Sequence, residues 1–299
     1  MILRRATAVA ALGLVGACTL GAGLSASPAH ADTGVTEVCR FTDHRLVEIS
    51  GLTASIAHPG VLWTHNDSSG GPYLYAVDAR TCRTLARVRV AGIPARDMEA
   101  ISYGRDRKGR PVIWLGDIGD NRDSWPYVRL HRIREPKVIV DGMTVNAKTY
   151  RFTYSDRPHN AETLLADPSS QRLWVVTKQL AHGSLYALPT PMSTAKVNIA
   201  RPLRVEGGLI TDGAISPDGR RYVLRDYVNA TFFDGLPPGR QTSVVRLPLQ
   251  FQGEAITWTP DGTALLVASE RDDRLLRIEA PVASRAVPSG TGQAGLAGG

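Results

Sequence analysis

Cysteine is scarce in this sequence, with three residues in 299, and lysine is nearly as rare, with five (Lys108, Lys137, Lys148, Lys178 and Lys196) against 30 arginines. No Cys-x-x-Cys or His-Glu-x-x-His occurs, and no phosphate-cradling glycine loop, which removes the common thiol-redox, zinc-protease and nucleotide signatures. A Gly-x-Ser-x-Gly elbow is also missing, and with it the α/β-hydrolase. Helical periodicity is almost absent after residue 34, so a helical bundle is excluded. No Lys/Arg cluster with interleaved aromatics stands out, which argues against nucleic acid as a partner. The formal charge of +7 becomes +5 once Arg4 and Arg5 are set aside with a leader. The whole sequence is 43% hydrophobic and 21% charged, an ordinary globular balance.

The one long apolar run is N-terminal. Arg4 and Arg5 precede the uncharged stretch from Ala6 to Ala17, and Ala29-His30-Ala31 forms a small-x-small cleavage site. Residues 1–31 are therefore expected to be a signal peptide, too short and glycine-rich for a membrane span. Val15-Gly16-Ala17-Cys18 loosely resembles a lipobox, so a lipid anchor at Cys18 on the outer face of the membrane is the alternative to a secreted chain. The folded domain is expected over 32–280, followed by a flexible Ala/Gly/Ser/Pro tail over 281–299.

Short β-branched and aromatic runs broken by Gly, Pro, Asp and Ser give an all-β pattern. One module recurs. Ser216-Pro217-Asp218-Gly219 before Tyr222-Val223-Leu224 stacks on Thr259-Pro260-Asp261-Gly262 before Leu265-Leu266-Val267. In each turn Pro fixes φ, Asp bonds back to the backbone and Gly takes φ > 0. Related strand–turn–strand units start near residues 50, 99 and 162. Third strands follow at Tyr73–Val77, Val128–Ile133, Leu185–Leu188, Thr231–Phe233 and Leu275–Ile278. Fourth strands follow the first four units at Leu85–Val90, Thr149–Tyr154, Pro202–Val205 and Val244–Leu247. Four-stranded repeats of this length are propeller blades. The expectation is a β-propeller of five four-stranded blades, with the strand from Val38 to Val47 supplying the missing outer strand of the last one. A sixth, irregular blade in the long second repeat, or two packed sandwiches, are the other arrangements.

Ser50-Gly51-Leu52, Thr64-His65-Asn66-Asp67-Ser68, the run Gly116 to Asn121, Asn160-Ala161-Glu162 and Gly253-Glu254-Ala255-Ile256 resemble secreted actinobacterial β-propellers of the phytase-like and TolB-like kind. The similarity covers roughly residues 45 to 280. It implies a propeller, and with less force anion or phosphoester chemistry.

Alignment of the repeats locates the chemistry. In a blade the start of the first strand and the end of the second share one mouth of the channel. Ser50, Glu99, Glu162, Thr211 and Glu254 fall at first-strand starts, with Asp212 one place on; Asn66, Asp117, Lys178, Tyr227 and Glu270 fall at second-strand ends. Converging carboxylates repel one another unless a cation joins them, and hard oxygen ligands suit Ca²⁺ or Mg²⁺. The expected metal set is Glu99, Glu162, Glu254, Asp117, Asp212 and Glu270, with Ca²⁺ preferred; the loop from Asp117 to Asp123 is read as adding oxygen ligands. Lys178, Arg225, Asn66, His65 and Tyr227 are the expected contacts for a small, anionic ligand. His159 is a second rim candidate, and Trp63, Trp114 and Trp174 are read as core between blades. Polar strand ends that merely bond neighbouring backbone are the competing explanation of the same ring.

The functional expectation is a monomeric, exported propeller that binds a small molecule at an acid-lined mouth with a divalent cation. A metal-dependent phosphoesterase, or a platform for an extracellular protein, are the alternatives. Cys39 and Cys82 are expected to form a disulfide. If the N-terminal strand closes the last blade, Cys39 and the turn carrying Cys82 lie on one side of the seam between the last blade and the first.

Overall fold

The computed structural model describes residues 34–67 and 70–282. The leader, the Cys18 lipobox and most of the tail after residue 281 lie outside the described residues. Among the described residues there are twenty β-strands and no α-helix, so none is long and apolar enough to cross a membrane.

The chain starts with β1 (Val35–Arg40) and then runs as successive antiparallel meanders. The first is β2 (Ile49–Ala54), β3 (Val61–Asn66), β4 (Tyr73–Asp78) and β5 (Thr84–Ala91). The second is β6 (Met98–Arg105), β7 (Pro111–Asp117), β8 (Val128–Arg134) and β9 (Thr144–Tyr154). The third is β10 (Ala161–Ala166), β11 (Leu173–Thr177), β12 (Ser184–Ala187) and β13 (Asn198–Val205). The fourth is β14 (Asp212–Ile215), β15 (Arg221–Arg225), β16 (Asn229–Asp234) and β17 (Arg240–Arg246). β18 (Gln252–Trp258), β19 (Ala264–Glu270) and β20 (Asp272–Glu279) complete the series, and β1 pairs antiparallel with β20 as the fourth strand of that sheet. The first strands lie side by side in the order β2, β6, β10, β14, β18, and β18 also lies beside β2.

The turns between first and second strands form as their residues dictate. Ser216 Oγ donates to Asp218 Oδ1 at 2.6 Å, and Gly219 N donates to Ser216 O with φ at +70°. Thr259, Asp261 and Gly262 repeat the arrangement. Trp63, Trp114, Trp174 and Trp258 are buried in the packing between sheets. At about 25 cal/mol per Å² of apolar surface, such side chains are a main source of cohesion.

Two features depart from the pattern read in the sequence. The N-terminal strand ends at Arg40, not Val47. Asp43 stops it by accepting hydrogen bonds from Arg45 N, Nε and Nη2, which bends the chain into a turn. The outer strand β9 starts at Thr144, five residues before the apolar run that suggested it. Its beginning pairs parallel with β5 (Arg89 opposite Thr144), its body antiparallel with β8, and its end parallel with β13 (Asn198 opposite Phe152). One strand thus ties the outer edges of three sheets and leaves fewer open edges.

Cys39 and Cys82 are bonded, with Cα atoms 5.6 Å apart. The bond links β1 to the β4–β5 turn, where Cys82 is fully buried in a cluster with Phe41, Leu52, Leu266 and Leu275. Closing a 43-residue separation corresponds to about 4 kcal/mol in the chain-entropy model.

Candidate functional site

The starts of the first strands are irregular in four of the five sheets. Register slips between Ile49 and Leu52, Met98 and Ala100, Ala161 and Thr163, and Gln252 and Ala255. These slips are β-bulges, and they fall at Ser50, Glu99, Glu162 and Glu254. A bulge leaves one residue out of the ladder and re-aims its side chain. Here it turns three glutamates toward one another: burial raises the Glu99 carboxyl well above its usual range, and Glu162, Asp67, Asp97 and Glu254 push it in the same direction.

The cluster has two halves. In one, Lys178 Nζ donates to Glu162 Oε1 at 2.6 Å and lies 3.6 Å from Glu254 Oε1. Tyr227 Oη and Gln252 Nε2 also donate to Glu254 Oε1, at 3.3 and 2.8 Å. Burial works against the lysine's charge, yet Glu162 and Glu254 hold its pKa above the ordinary value. Glu162 is pushed up to about 8 by burial, with Lys178 opposing and Glu254 adding to the shift. Its second oxygen, Oε2, is buried without a hydrogen-bond partner. Glu270 is also raised to about 8, by burial and then by the charge and hydrogen bond of Glu254.

In the other half, one carboxylate oxygen each from Asp67, Asp97 and Glu99 lies within 4.8 Å of the other two. Ser50 Oγ donates to Glu99 Oε2 at 3.1 Å. Burial, then the charge of Asp67, lifts Asp97 to about 6. Gly119 closes this half: a Cβ there would collide with Asp97 Oδ2 and Glu99 Oε1.

The remaining residues singled out in the sequence have other partners. Asp117 is fully buried and accepts from Asp97 N at 2.9 Å and Arg129 Nη1 at 3.0 Å. It therefore positions Asp97. Asp212 accepts from Gly213 N and Ile256 N, strapping β14 to β18, and burial raises its pKa well above the usual range. Arg225 is fully buried, and its guanidinium donates to Ala255 O, Ala268 O and Gln250 Oε1. Burial lowers its pKa to about 10. Gly253 is required beside it, because a Cβ would collide with Arg225 Nη2. Asn66 joins Arg45 O to Glu48 N. His65 is buried, faces Asn66 O through Nδ1, and is held neutral by burial, with a pKa lowered to about 4.

The loop after Asp117 turns its carboxylates onto backbone and not toward the glutamates. Asp120 accepts from Ser124 N and Trp125 N, and Asp123 from Asn160 N. His159 bonds Asp156 and Tyr186 and packs on Tyr154. Asp97 went unnoticed in the sequence because it precedes β6 by one residue and so falls outside the strand starts that were aligned. Its i, i+2 spacing to Glu99 was the available signal.

A hollow of about 560 Å³ opens beside Lys178, bounded also by Asn121, Asp123, Asn160 and Gln179. The other ends of the first strands surround a different, apolar hollow of about 420 Å³, walled by Leu52, Ile101, Ile215 and Trp258 and by Pro59, Pro168, Pro217 and Pro260 of the turns.

No protein-family model matches the chain, and no curated protein matches it. Among solved structures it is similar to the PQQ-bound form of aldose sugar dehydrogenase from Streptomyces coelicolor, at 13% identity over 83% of this chain and 98% of that one, with a TM-score of 0.49. It is also similar to a chain of the mitotic checkpoint complex, at 10% identity over 77% of this chain and 63% of that one, with a TM-score of 0.40. Neither likeness assigns a ligand or a reaction to this chain.

Proposed function

We propose that the protein is an exported five-bladed propeller, its last blade completed by β1, that binds a small ligand at the acidic mouth through a divalent cation. The observation that carries the reading is the convergence of Asp67, Asp97 and Glu99 oxygens within 4.8 Å. These are three hard oxygen donors, the type Ca²⁺ takes at 2.3–2.6 Å with further ligands from water or a bound molecule. Asp97 and Glu99 are raised first by burial and then by the neighbouring carboxylates, and a cation would relieve both costs. A cation held by these three oxygens would leave coordination positions for a ligand with oxygen donors. The Cys39–Cys82 bond suits an oxidising, extracellular setting.

The ligand is a neutral or weakly charged oxygen-rich molecule. Lys178 and Arg225, the groups that would hold an anion or a phosphoryl group, are engaged by Glu162 and by backbone carbonyls. That engagement favours binding over phosphoester hydrolysis and over the phytase-like reading of the motifs.

The test is calorimetric titration of Ca²⁺ into the chelator-stripped protein, with Glu99→Gln alongside. One ion per chain, with Glu99→Gln weakening it at least tenfold, supports the site. Absence of binding at millimolar Ca²⁺, Mg²⁺ and Mn²⁺ rejects it.

A further inference from the structure

The sequence scatters its basic residues, but the fold gathers several of them. On the flank where the second and third sheets meet, a groove of about 320 Å³ is bounded by the β6–β7 turn, β8, β9 and the loop after β12. Arg107 and Lys108 come from the turn, Arg132 from β8 and Lys148 from β9. In register, Arg132 lies opposite Lys148 across the β8–β9 ladder. Like charges placed directly opposite repel one another.

The groove's own acid does not neutralise them. Asp106 is the acidic residue in its wall, and it is taken by Arg110, through Nε at 2.7 Å and a second guanidinium contact. Among the described residues, no hydrogen bond or ion pair engages the side chains of Arg107, Lys108, Arg132 or Lys148. Arg132 rests against aromatic faces instead, its guanidinium carbon 5.8 Å from the Trp114 ring centroid and 5.6 Å from that of Tyr150. Both rings are buried. At these distances the rings attract the guanidinium through their faces, and its N–H groups remain available for an oxyanion.

We propose that this groove is a second ligand site, distinct from the acidic mouth, that binds a compact polyanion bearing two or more tetrahedral oxyanion groups, phosphate or sulfate. Arg132 on its aromatic floor makes the oriented contact. Lys148 and the turn residues Arg107 and Lys108 close around the remaining charge. Three side chains of the set are exposed, and only Arg132 is partly buried, so the ligand enters without rearrangement of the strands. The size of the groove suits a small molecule. A long polymer would need a basic track extending beyond it.

Titration of inorganic tripolyphosphate into the wild-type chain at low ionic strength tests the site. One ligand per chain is expected, with affinity falling as salt rises. Arg132→Gln should weaken it about tenfold or more, the scale of one lost charge-assisted contact. Lys108→Gln with Lys148→Gln, both at exposed positions, gives the same reading if Arg132→Gln fails to fold. A charge-matched control, Arg80→Gln with Lys137→Gln, should bind as wild type. Potassium sulfate in place of tripolyphosphate separates a site for single oxyanions from one for linked phosphates, and weaker binding of sulfate is expected. No binding to wild type, equal losses in groove and control variants, or binding of heparin that the groove variants leave unchanged would each overturn the proposal.

Discussion

The two halves of the acidic mouth start from the same chemistry and solve it differently. Glu162 and Glu254 carry their counter-charge within the chain, as Lys178, 2.6 and 3.6 Å away. Asp67, Asp97 and Glu99 each bring one oxygen within 4.8 Å of the other two, and the charge of Arg96 offsets only part of the burial that raises Asp97. A cation bonded into a carboxylate pair sets a fixed geometry. Carboxylates raised by burial and by one another hold a proton more tightly and are eased by a cation from solution. On the proposed reading the first half serves cohesion and the second takes an exchangeable cation.

The sharpest way to break the comparison is to delete the built-in cation. Lys178→Met leaves Glu162 buried beside Glu254 without a partner. Breaking a buried pair by removing one member is costly, and here the cost is reduced because Glu162 can take up a proton. A loss of about 2–4 kcal/mol is expected at pH 8, or roughly 5–15 °C in Tm, and less at pH 5. Thermal unfolding at the two pH values checks both size and trend. A loss that does not grow with pH would show that Lys178 acts through packing alone.

The wild-type chain should carry the same signature more weakly. Glu162 and Glu270 titrate near 8 in the fold and near 4.3 when unfolded. The folded state therefore binds their protons more tightly. The stability this provides is complete below about pH 4.3 and is lost as pH rises through about 8. Without metal, Tm is expected to fall between pH 5 and pH 9, most steeply as pH approaches about 8. Saturating Ca²⁺ should restore only the part due to the open half. A metal-free Tm that rises over this range would contradict the assigned protonation of both glutamates.

Gly119→Ala separates the halves sterically. The atoms nearest the added Cβ belong to Asp97 and Glu99, with which it collides. Gly119 does not have a left-handed backbone, so the change acts through contact and not through φ. A Ca²⁺ affinity about tenfold lower, equivalent to 1.4 kcal/mol, is expected from calorimetry, with the titration of Glu162 by NMR unchanged. Equal movement of both would mean that the mouth behaves as one site.

Much of this was legible in the sequence, for local reasons. Pro-Asp-Gly turns announce hairpins because Pro, Asp and Gly each fix one torsion or bond, so the strand order could be read from Ser216–Gly219 and Thr259–Gly262. The bond between Cys39 and Cys82 followed from assigning β1 to the last sheet. Partner choice was not legible. Lys178, Arg225 and Asp212 fall in or beside the two polar rings of the alignment, yet one neutralises glutamates, one bonds carbonyls and one straps two strands. Which of these a side chain does depends on the bulges and on neighbours from other sheets. The groove around Arg132 shows the same limit, since residues 108, 132 and 148 adjoin only once β9 is paired with β8. The reach of β9 to β5 and β13 was hidden because its first residues, Thr144 to Lys148, alternate between exposed and half-buried and lack an apolar run.

The smallest effect tests the open half most directly, through protons. With Asp97 raised to about 6 and Glu99 held well above the usual range, the metal-free cluster retains a proton near neutral pH. A divalent cation favours the ionised form of each ligand and must displace that proton. Both shifts are upward, so binding is opposed at low pH and freed as pH rises; affinity should therefore increase from pH 5 to pH 8 and level off above. For a single displaced proton the slope approaches one decade per pH unit. At pH 6.5 about one proton should be released per ion, measured as a calorimetric enthalpy that changes with the ionisation enthalpy of the buffer. Glu99→Gln removes a carboxyl that burial holds well above its usual range and should lower both the affinity and the proton count. Glu162→Gln should change the proton count less than Glu99→Gln does, because Glu162 acts on Glu99 only through its charge. If calcium binds without releasing protons, or if Glu162→Gln changes the count as much as Glu99→Gln does, the division of the mouth into a fixed half and an exchangeable half fails, and the six carboxylates must be treated as a single coupled cluster.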